Sequence, residues 1–450
     1  MMPGGVGWRR MRIAMAWVSA VVVGLAAQTV RAVPSFAVQT GHPCQSCHVG
    51  GLGPQLTPFG REFKLHGFTA RTVGFNLPLA VFATASYLRT QKDQAAPPAD
   101  GFRTNDNLAV DQVSVFLAGG LGKHLGAFVQ TTYDGVAKAF SWDNLDIRAV
   151  THAKAGRADM ELGLDLNNNP TLQDPFNTLT AWGFPYTDSA LAPTPGAAPL
   201  IGSFAQNTLG LTGYAWINGA VYVEAGGYRS LGAGLLDHLG VDPFSPGEID
   251  GVAPYARVAY LKNLGERNFE IGAFVLDAKL FPGRDRTSGR SDHHSDVGLD
   301  ASYQYFAANH DVVTLNARYT YERQRLAASR ALGLAANAAG RLEDVRADAS
   351  YYWRNKIGAS VQAFRTWGSR DALLYGPNRT SRPDSSGVVL QIDATPYGDG
   401  KSPLGPRFNL RVGVQYTAYF QFDGASHDYD ALGHNASDNN GLRLFTWVYY

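Results

Sequence analysis

Along most of the chain, apolar and polar residues alternate one by one. From about residue 76 onward, alternating runs of about ten residues are each followed by a turn. In "DVGLDASYQYF", Val297, Leu299, Ala301, Tyr303 and Tyr305 share one face, and Asp300, Ser302 and Gln304 share the other. In "VVTLNARYTYE", Val313, Leu315, Ala317, Tyr319 and Tyr321 oppose Thr314, Asn316, Arg318, Thr320 and Glu322. "DVRADASYYW" and "RFNLRVGVQYTAYFQF" repeat the pattern, with Arg346, Asp348, Asn409, Arg411 and Gln415 on the polar side. A period of two puts successive side chains on opposite faces of a strand. Aromatic residues toward the strand ends mark the strands of a transmembrane β-barrel.

A soluble β-sandwich with one wet face would also alternate, so the connections decide between the two. Short ones at 122–124, 153–156, 218–219 and 309–310 contrast with long polar ones at 92–106, 167–206, 231–250, 283–295, 370–386 and 423–439. Bacterial outer-membrane barrels have tight periplasmic turns and long outer loops. The pattern predicts an all-β fold: an antiparallel transmembrane barrel of about sixteen strands over 76–450, an even number with both termini periplasmic. The aromatic last residue, Tyr450, resembles the assembly signal of such barrels. Lipid offers no hydrogen-bond partners, so every strand edge must be paired and the sheet must close. A barrel of this size encloses a lumen. Its wall would carry Asp146, Arg148, Asp159, Glu161, Arg318, Arg346, Asp348 and Arg411, so the interior is wet or lined for a polar occupant.

The amino terminus adds a destination. "WRRMR" supplies positive charge, and "IAMAWVSAVVVGLAA" is an apolar run of signal-peptide length. Residues 1–32 therefore read as a signal peptide cut after Ala27 or Ala32, and the run is short for a bilayer-spanning anchor. Export plus a barrel places the chain in the outer membrane of a bacterial cell, in contact with its lipid. A net charge of only +1 argues against nucleic acid as a partner.

Both cysteines of the chain lie in "HPCQSCHVGG", where Cys44, Cys47 and His48 form C-x-x-C-H, the attachment motif for c-type haem. Two thiols at this spacing bond to the two vinyl groups of one haem, and the adjacent histidine becomes the proximal iron ligand. A redox dithiol of the thioredoxin type needs a βαβ context, which is missing. A zinc site needs further Cys or His partners at short spacing. The chemistry predicted is one covalently bound haem c, carried by a small, mainly helical cytochrome c-like segment over 33–75. A segment of about forty residues is shorter than most domains that fold unaided, so it is expected to plug the periplasmic side of the barrel. Within it, "TPFGREFKLHGF" reads as a short helix capped by Thr57, started by Pro58 and stopped by Gly67. Met160, the one methionine left after signal removal, shares a face with Leu162 and Leu164 and points to lipid. The distal iron ligand is therefore sought among histidines. His66 at the helix end is the first candidate, with binding to the terminal carbonyls as its other reading. His42 is the second.

These residues resemble the fused monohaem cytochrome–porins of bacterial outer membranes, a family that includes the iron oxidases of iron-oxidising bacteria. "PSFAVQTGHPCQSCH", "LTPFGREFKLHGF", "NNNPTLQDPFN" and "AWGFPY" carry the resemblance, the last two inside the first very long loop, read as an outer one. "VGGLGPQ" after His48 departs from it, being richer in glycine. The resemblance implies an Fe(II)-oxidising oxidoreductase that takes electrons from extracellular Fe(II) through the haem. They pass on to a periplasmic c-type cytochrome or another soluble electron carrier. Carboxylate and imidazole ligands suit Fe(II). "RSDHHSD" offers His293 and His294 with Asp292 and Asp296, and a later loop offers Asp423, His427, Asp428, Asp430 and His434. A passive porin with a structural haem, or a conduit for another donor or acceptor, would carry the same motifs.

Overall fold

The computed structural model describes residues 35–72, 74, 78–405 and 408–450; the expected signal segment 1–32 lies outside them. Among the described residues, seventeen strands form one sheet, and one of them, Glu248–Ile249, is only two residues long. The sixteen long strands are β1 Leu79–Thr90, β2 Asn107–Gly120, β3 Leu125–Asp134, β4 Ala139–Ala155, β5 Ala158–Asn167, β6 Thr208–Ile217, β7 Val221–Ser230 and β8 Ala253–Leu264. They continue as β9 Arg267–Phe281, β10 Asp292–Phe306, β11 Val312–Arg325, β12 Ala339–Trp353, β13 Ile357–Gly368, β14 Ser385–Ala394, β15 Asn409–Gln421 and β16 Gly441–Tyr449. Each pairs antiparallel with its neighbour in sequence, and β1 pairs with β16 through Ala83–Val448 and Ser86–Phe445. That last pairing closes the barrel and removes every free edge.

Alternation builds the wall as expected. On β10, Val297 and Leu299 are exposed while Asp296, Asp300, Ser302 and Gln304 are buried in the lumen. Leu164, Leu211, Ile271, Leu315, Val361 and Ile392 extend the outer apolar band. Exposed Tyr260, Phe269, Tyr351 and Trp353 ring it near the short turns, and Phe140, Tyr416 and Phe420 near the other end. No helix among the described residues is long and apolar enough to cross a membrane, and the band fits crossing by strands. On β5, Glu161 and Asp165 are buried while Leu164 is exposed, so Met160 shares the outward face.

Connections 121–124, 156–157, 218–220, 265–266, 307–311 and 354–356 are short and lie at one end of the barrel. The connection 395–408 is the longer exception there. The long ones at the other end differ from the expectation in two places. Strand β10 begins at Asp292, so His293 and His294 belong to the wall rather than to a loop. The segment 168–207, expected as an outer loop, folds back into the lumen: Asn168, Thr171, Leu172, Gln173, Asp174, Phe176 and Leu179 are all buried. Its chemistry explains the insertion. Asp174 and Asp188 are its only charges, and Leu172, Phe176, Leu179, Trp182 and Phe184 are too apolar for a solvated loop. Its polar atoms bond to the wall: Gln173 Nε2 donates to Glu224, the Leu200 N–H to Glu322 and the Ile201 N–H to Asp296. The polar occupant of the lumen is the chain itself.

Candidate haem site

Residues 35–72 occupy the lumen at the short-turn end. Three helices shape them: α1 Ser35–Thr40, α2 Cys44–Cys47 and α3 Pro58–Leu65. Gln39 Nε2 donates to the Phe68 and Ala70 carbonyls, while its Oε1 accepts the Gly120 N–H at the end of β2. Helix α3 starts as its sequence predicts, with Pro58 in the first turn and Thr57 Oγ1 accepting the Gly60 N–H at 3.2 Å. Its far end is met by the wall, where Arg148 Nη1 donates to the Lys64 carbonyl and the Tyr214 hydroxyl to that of Leu65. Lys64 Nζ reaches the other way, donating to the Leu172 and Asp174 carbonyls of the inner segment at 2.7 Å each.

The attachment loop is fastened to α3. The Thr57 N–H donates to the Cys47 carbonyl at 2.9 Å, and Thr57 Oγ1 donates to that of Ser46. A Cβ at Gly60 would lie 2.3 Å from the Cys47 carbonyl oxygen, so only glycine lets the helix sit this close. Overpacking of this kind costs about 1–3 kcal/mol. G60A is expected to lower the haem-to-protein ratio severalfold, read from pyridine haemochrome absorbance against protein mass, while the barrel's heat-modifiable gel mobility stays unchanged.

The glycine-rich stretch after His48 has a reason in the barrel. Gly50 has φ +71° and a Cβ there would lie 2.5 Å from the Tyr352 ring and from Arg411. Its N–H donates to Asn355 Oδ1, its carbonyl accepts from Arg411 Nη2, and the Gly51 carbonyl accepts from Asn409 Nδ2. The loop thus threads between side chains of β12 and β15 and the turn between β12 and β13.

Cys44 is buried and Cys47 half-buried. Burial pushes the Cys44 thiol up, and burial with the neighbouring Cys44 pushes Cys47 up to about 12. A reactive redox dithiol needs the opposite shift. Burial holds His48 down at about 4, so its imidazole stays neutral. Its Nδ1 is buried without a partner. A neutral imidazole with a buried, unpaired ring nitrogen is chemically able to ligate a metal. Among the described residues, no three His, Cys, Asp or Glu side chains are arranged to hold a metal ion.

The lumen wall beside the loop is apolar. Leu52 packs with Ala80, Phe82, Phe116, Ala118 and Trp447, and Phe36, Phe128, Tyr186 and Tyr449 pack against this cluster. Phe82 and Tyr449 stack at 5.0 Å, and Trp447 packs 5.8 Å from Tyr449. Aromatic surface on the wet face of a barrel, facing a C-x-x-C-H loop, suits a flat apolar group with polar edges; the residues present fit a haem. The sequence carried a signal for this wall that the alternation reading passed over. Phe82 falls on the same face as Thr84 and Ser86, where a solvated lumen would want a polar side chain.

The other sequence-predicted residues go elsewhere. His66 lies on the exposed face of α3 with Phe59 and Glu62, opposite the face that bears Gly60. Its Nδ1 is 2.7 Å from the Glu62 carbonyl and its Nε2 is 3.8 Å from Glu161, so its partners are its own helix and the barrel wall. His42 packs on Phe59, ring centroids 4.8 Å apart. His293 and His294 do not form one site. Adjacent strand residues face opposite ways: His293 Nε2 pairs with Asp277 at 2.8 Å and is partly exposed, whereas His294 Nδ1 turns to Glu322 at 3.3 Å in the lumen. In the later loop His434 pairs with Asp430 at 2.5 Å and Asp428 with Arg379 at 3.7 Å.

No protein-family model and no curated protein sequence matches the chain. Among solved structures it is similar to an anion-selective porin from Comamonas acidovorans, with 13% identity and a TM-score of 0.46 over 83% of this chain and 98% of that one. It is similar to OmpF of Salmonella typhi at 12% and 0.45, over 83% of this chain and 97% of that one. The channel DcaP of Acinetobacter baumannii gives 10% and 0.45, over 85% and 99%.

Proposed function

We propose that this chain is an outer-membrane electron-transfer protein of the fused cytochrome–porin kind, oxidising extracellular Fe(II) and passing the electron to a periplasmic cytochrome or other soluble carrier. The observation that carries this reading is that the Cys44–His48 loop is built into the short-turn end of a closed barrel, beneath an aromatic wall. When bound, a haem supplies a one-electron centre whose potential depends on its ligands and burial. The chain's residues would do the rest. Cys44 and Cys47 would hold the group by thioether bonds, each thiol S–H adding across one vinyl double bond. His48 would offer an imidazole nitrogen to its iron, and Phe82, Phe116, Trp447 and Tyr449 would keep water away. His42, Phe59, Glu62 and His66 form the exposed face of the plug, where a carrier would dock.

Packing favours electrons over solutes as the traffic. Lys64 ties the plug to the inner segment, its Nζ 5.0 Å from the Trp182 ring centroid, and Trp182 stands 6.3 Å from Phe128. Many lumen-facing charges are consumed in internal pairs, as with Arg148 between Asp146 at 2.7 Å and Asp165 at 3.0 Å. Taking the electron outside leaves the insoluble ferric product outside as well. Mixing purified protein with Fe(II) in a stopped-flow instrument is expected to produce the sharp reduced c-type band, and protein-loaded vesicles are expected to stay tight to sugars. Sugar flux with no reduction by Fe(II) would instead assign a passive porin, and reduction by other donors alone would change the substrate.

A further inference from the structure

The outer half of the lumen holds a cavity of about 360 Å³ between the inner segment and the wall, within the range of pockets that take small molecules. The stretch from Thr180 to Gly202 forms one side, and Arg318, Arg346, Gln362 and Arg443 lie on the other. Two of these arginines are neutralised. Arg346 Nε is 3.2 Å from Asp344, and Arg443 Nη2 is 3.0 Å from Asp111.

Arg318 has no such contact. Only 8% of it is exposed, its Nε is buried without a partner, and among the described residues it makes neither an ion pair nor a hydrogen bond. Asp344, Asp300 and Asp348 act on it electrostatically, but their oxygens bond elsewhere: Asp300 to Arg257, Asp344 to Arg346 and Thr366, and Asp348 to Asn316. The inner segment passes the guanidinium at Gly183, where a Cβ would sit 3.1 Å from Nη1. A buried guanidinium whose donors find no acceptor is costly, and every other arginine lining this chamber has a carboxylate in contact.

We propose that this chamber is a binding site for a small oxyanion, a carboxylate or phosphate group, held by the guanidinium of Arg318. The planar fork of arginine matches such groups with two parallel hydrogen bonds, and an anion there gives its donors the acceptors they lack. The inference stands independently of the haem. A free ion and the same group carried on a metal chelate share this chemistry, so phosphate, citrate and iron-loaded citrate are the probes.

Calorimetric titration of the detergent-solubilised full chain at constant ionic strength tests it. Wild type is expected to bind phosphate or citrate saturably below on the order of 10 mM, with citrate displacing phosphate from one site. R318Q is expected to weaken this at least tenfold, and R318K, which keeps the charge but loses the fork, severalfold. R370Q, which removes a charge from an exposed loop, should leave it within twofold. Equal affinity for citrate and iron-loaded citrate would point to the free anion, and tighter binding of the loaded form to the chelate. The proposal is overturned if wild type shows no saturation by either anion, if the two anions bind without competing, or if R318Q and R370Q behave alike. The wild-type arms decide even if R318Q does not fold.

Discussion

Replacing Cys44 and Cys47 together by alanine is expected to give a barrel of normal mobility that carries no covalently attached haem. Neither side chain holds the barrel together. The loop is fastened through backbone groups, the Cys47 carbonyl to Thr57, the Gln45 N–H to the Gly398 carbonyl and the Gly50 N–H to Asn355. The double variant should therefore keep its heat-modifiable gel shift while losing all peroxidase stain in a denaturing gel, which retains only thioether-bound haem. Single variants should keep a minority of stain through one remaining thioether bond. H48A should keep the stain, because the covalent bonds survive, but change the absorbance spectrum and shift the potential, since the proximal ligand is what it removes. Stain persisting in the double variant, or a colourless wild type, would end the haem assignment and the proposed function with it.

R257M is expected to cause the largest loss of stability of any lumen substitution. Arg257 on β8 lies 3.3 Å from Asp174 of the inner segment, 3.3 Å from Glu270 on β9 and 2.7 Å from Asp300 on β10, and all four side chains are fully buried. Removing one partner of a buried ion pair costs about 3–5 kcal/mol, because the remaining charge stays desolvated; here three carboxylates lose their shared cation. The inner segment should also loosen, since Asp174 organises it by accepting the Phe176, Thr178 and Leu179 N–H groups. The segment 168–207 has no Lys or Arg but many aromatic residues, so chymotrypsin is the probe. The variant should be cut between 168 and 207 where wild type resists, its urea midpoint should fall, and ion conductance in planar bilayers should rise. An unchanged midpoint with unchanged resistance would show that this cluster does not hold the segment in place. R257K, which keeps a charge without the fork, should fall between the two.

The two predictions divide along a line that also separates what was legible in the sequence from what was not. The motif behind the first lies within five consecutive residues, and the carboxylates behind the second are spread over 126 positions of chain, from Asp174 to Asp300. Which of the lumen charges pair is a matter of register and closure. Asp300 stands opposite Arg318 across β10 and β11, yet its ion pair is with Arg257 two strands away. That choice leaves Arg318 without a carboxylate in contact, and nothing in the alternation around "LNARYTY" announces it.

By itself the sequence determined the barrel, its strand number near sixteen, the outward face of Met160, the helix between Thr57 and Gly67, and the C-x-x-C-H loop. All of these rest on local rules, in which alternating polarity, caps and motif spacing act over a few residues. The tertiary structure alone decided that 168–207 turns inward, because only a closed wall supplies Glu224, Asp296 and Glu322 as partners for its backbone and side chains. It decided that "VGGLG" is glycine-rich because Arg411 and Tyr352 close on it from the wall. It decided that His293 and His294 are parted by the strand they share, since a strand sends neighbours to opposite faces wherever a loop would have left them free to converge.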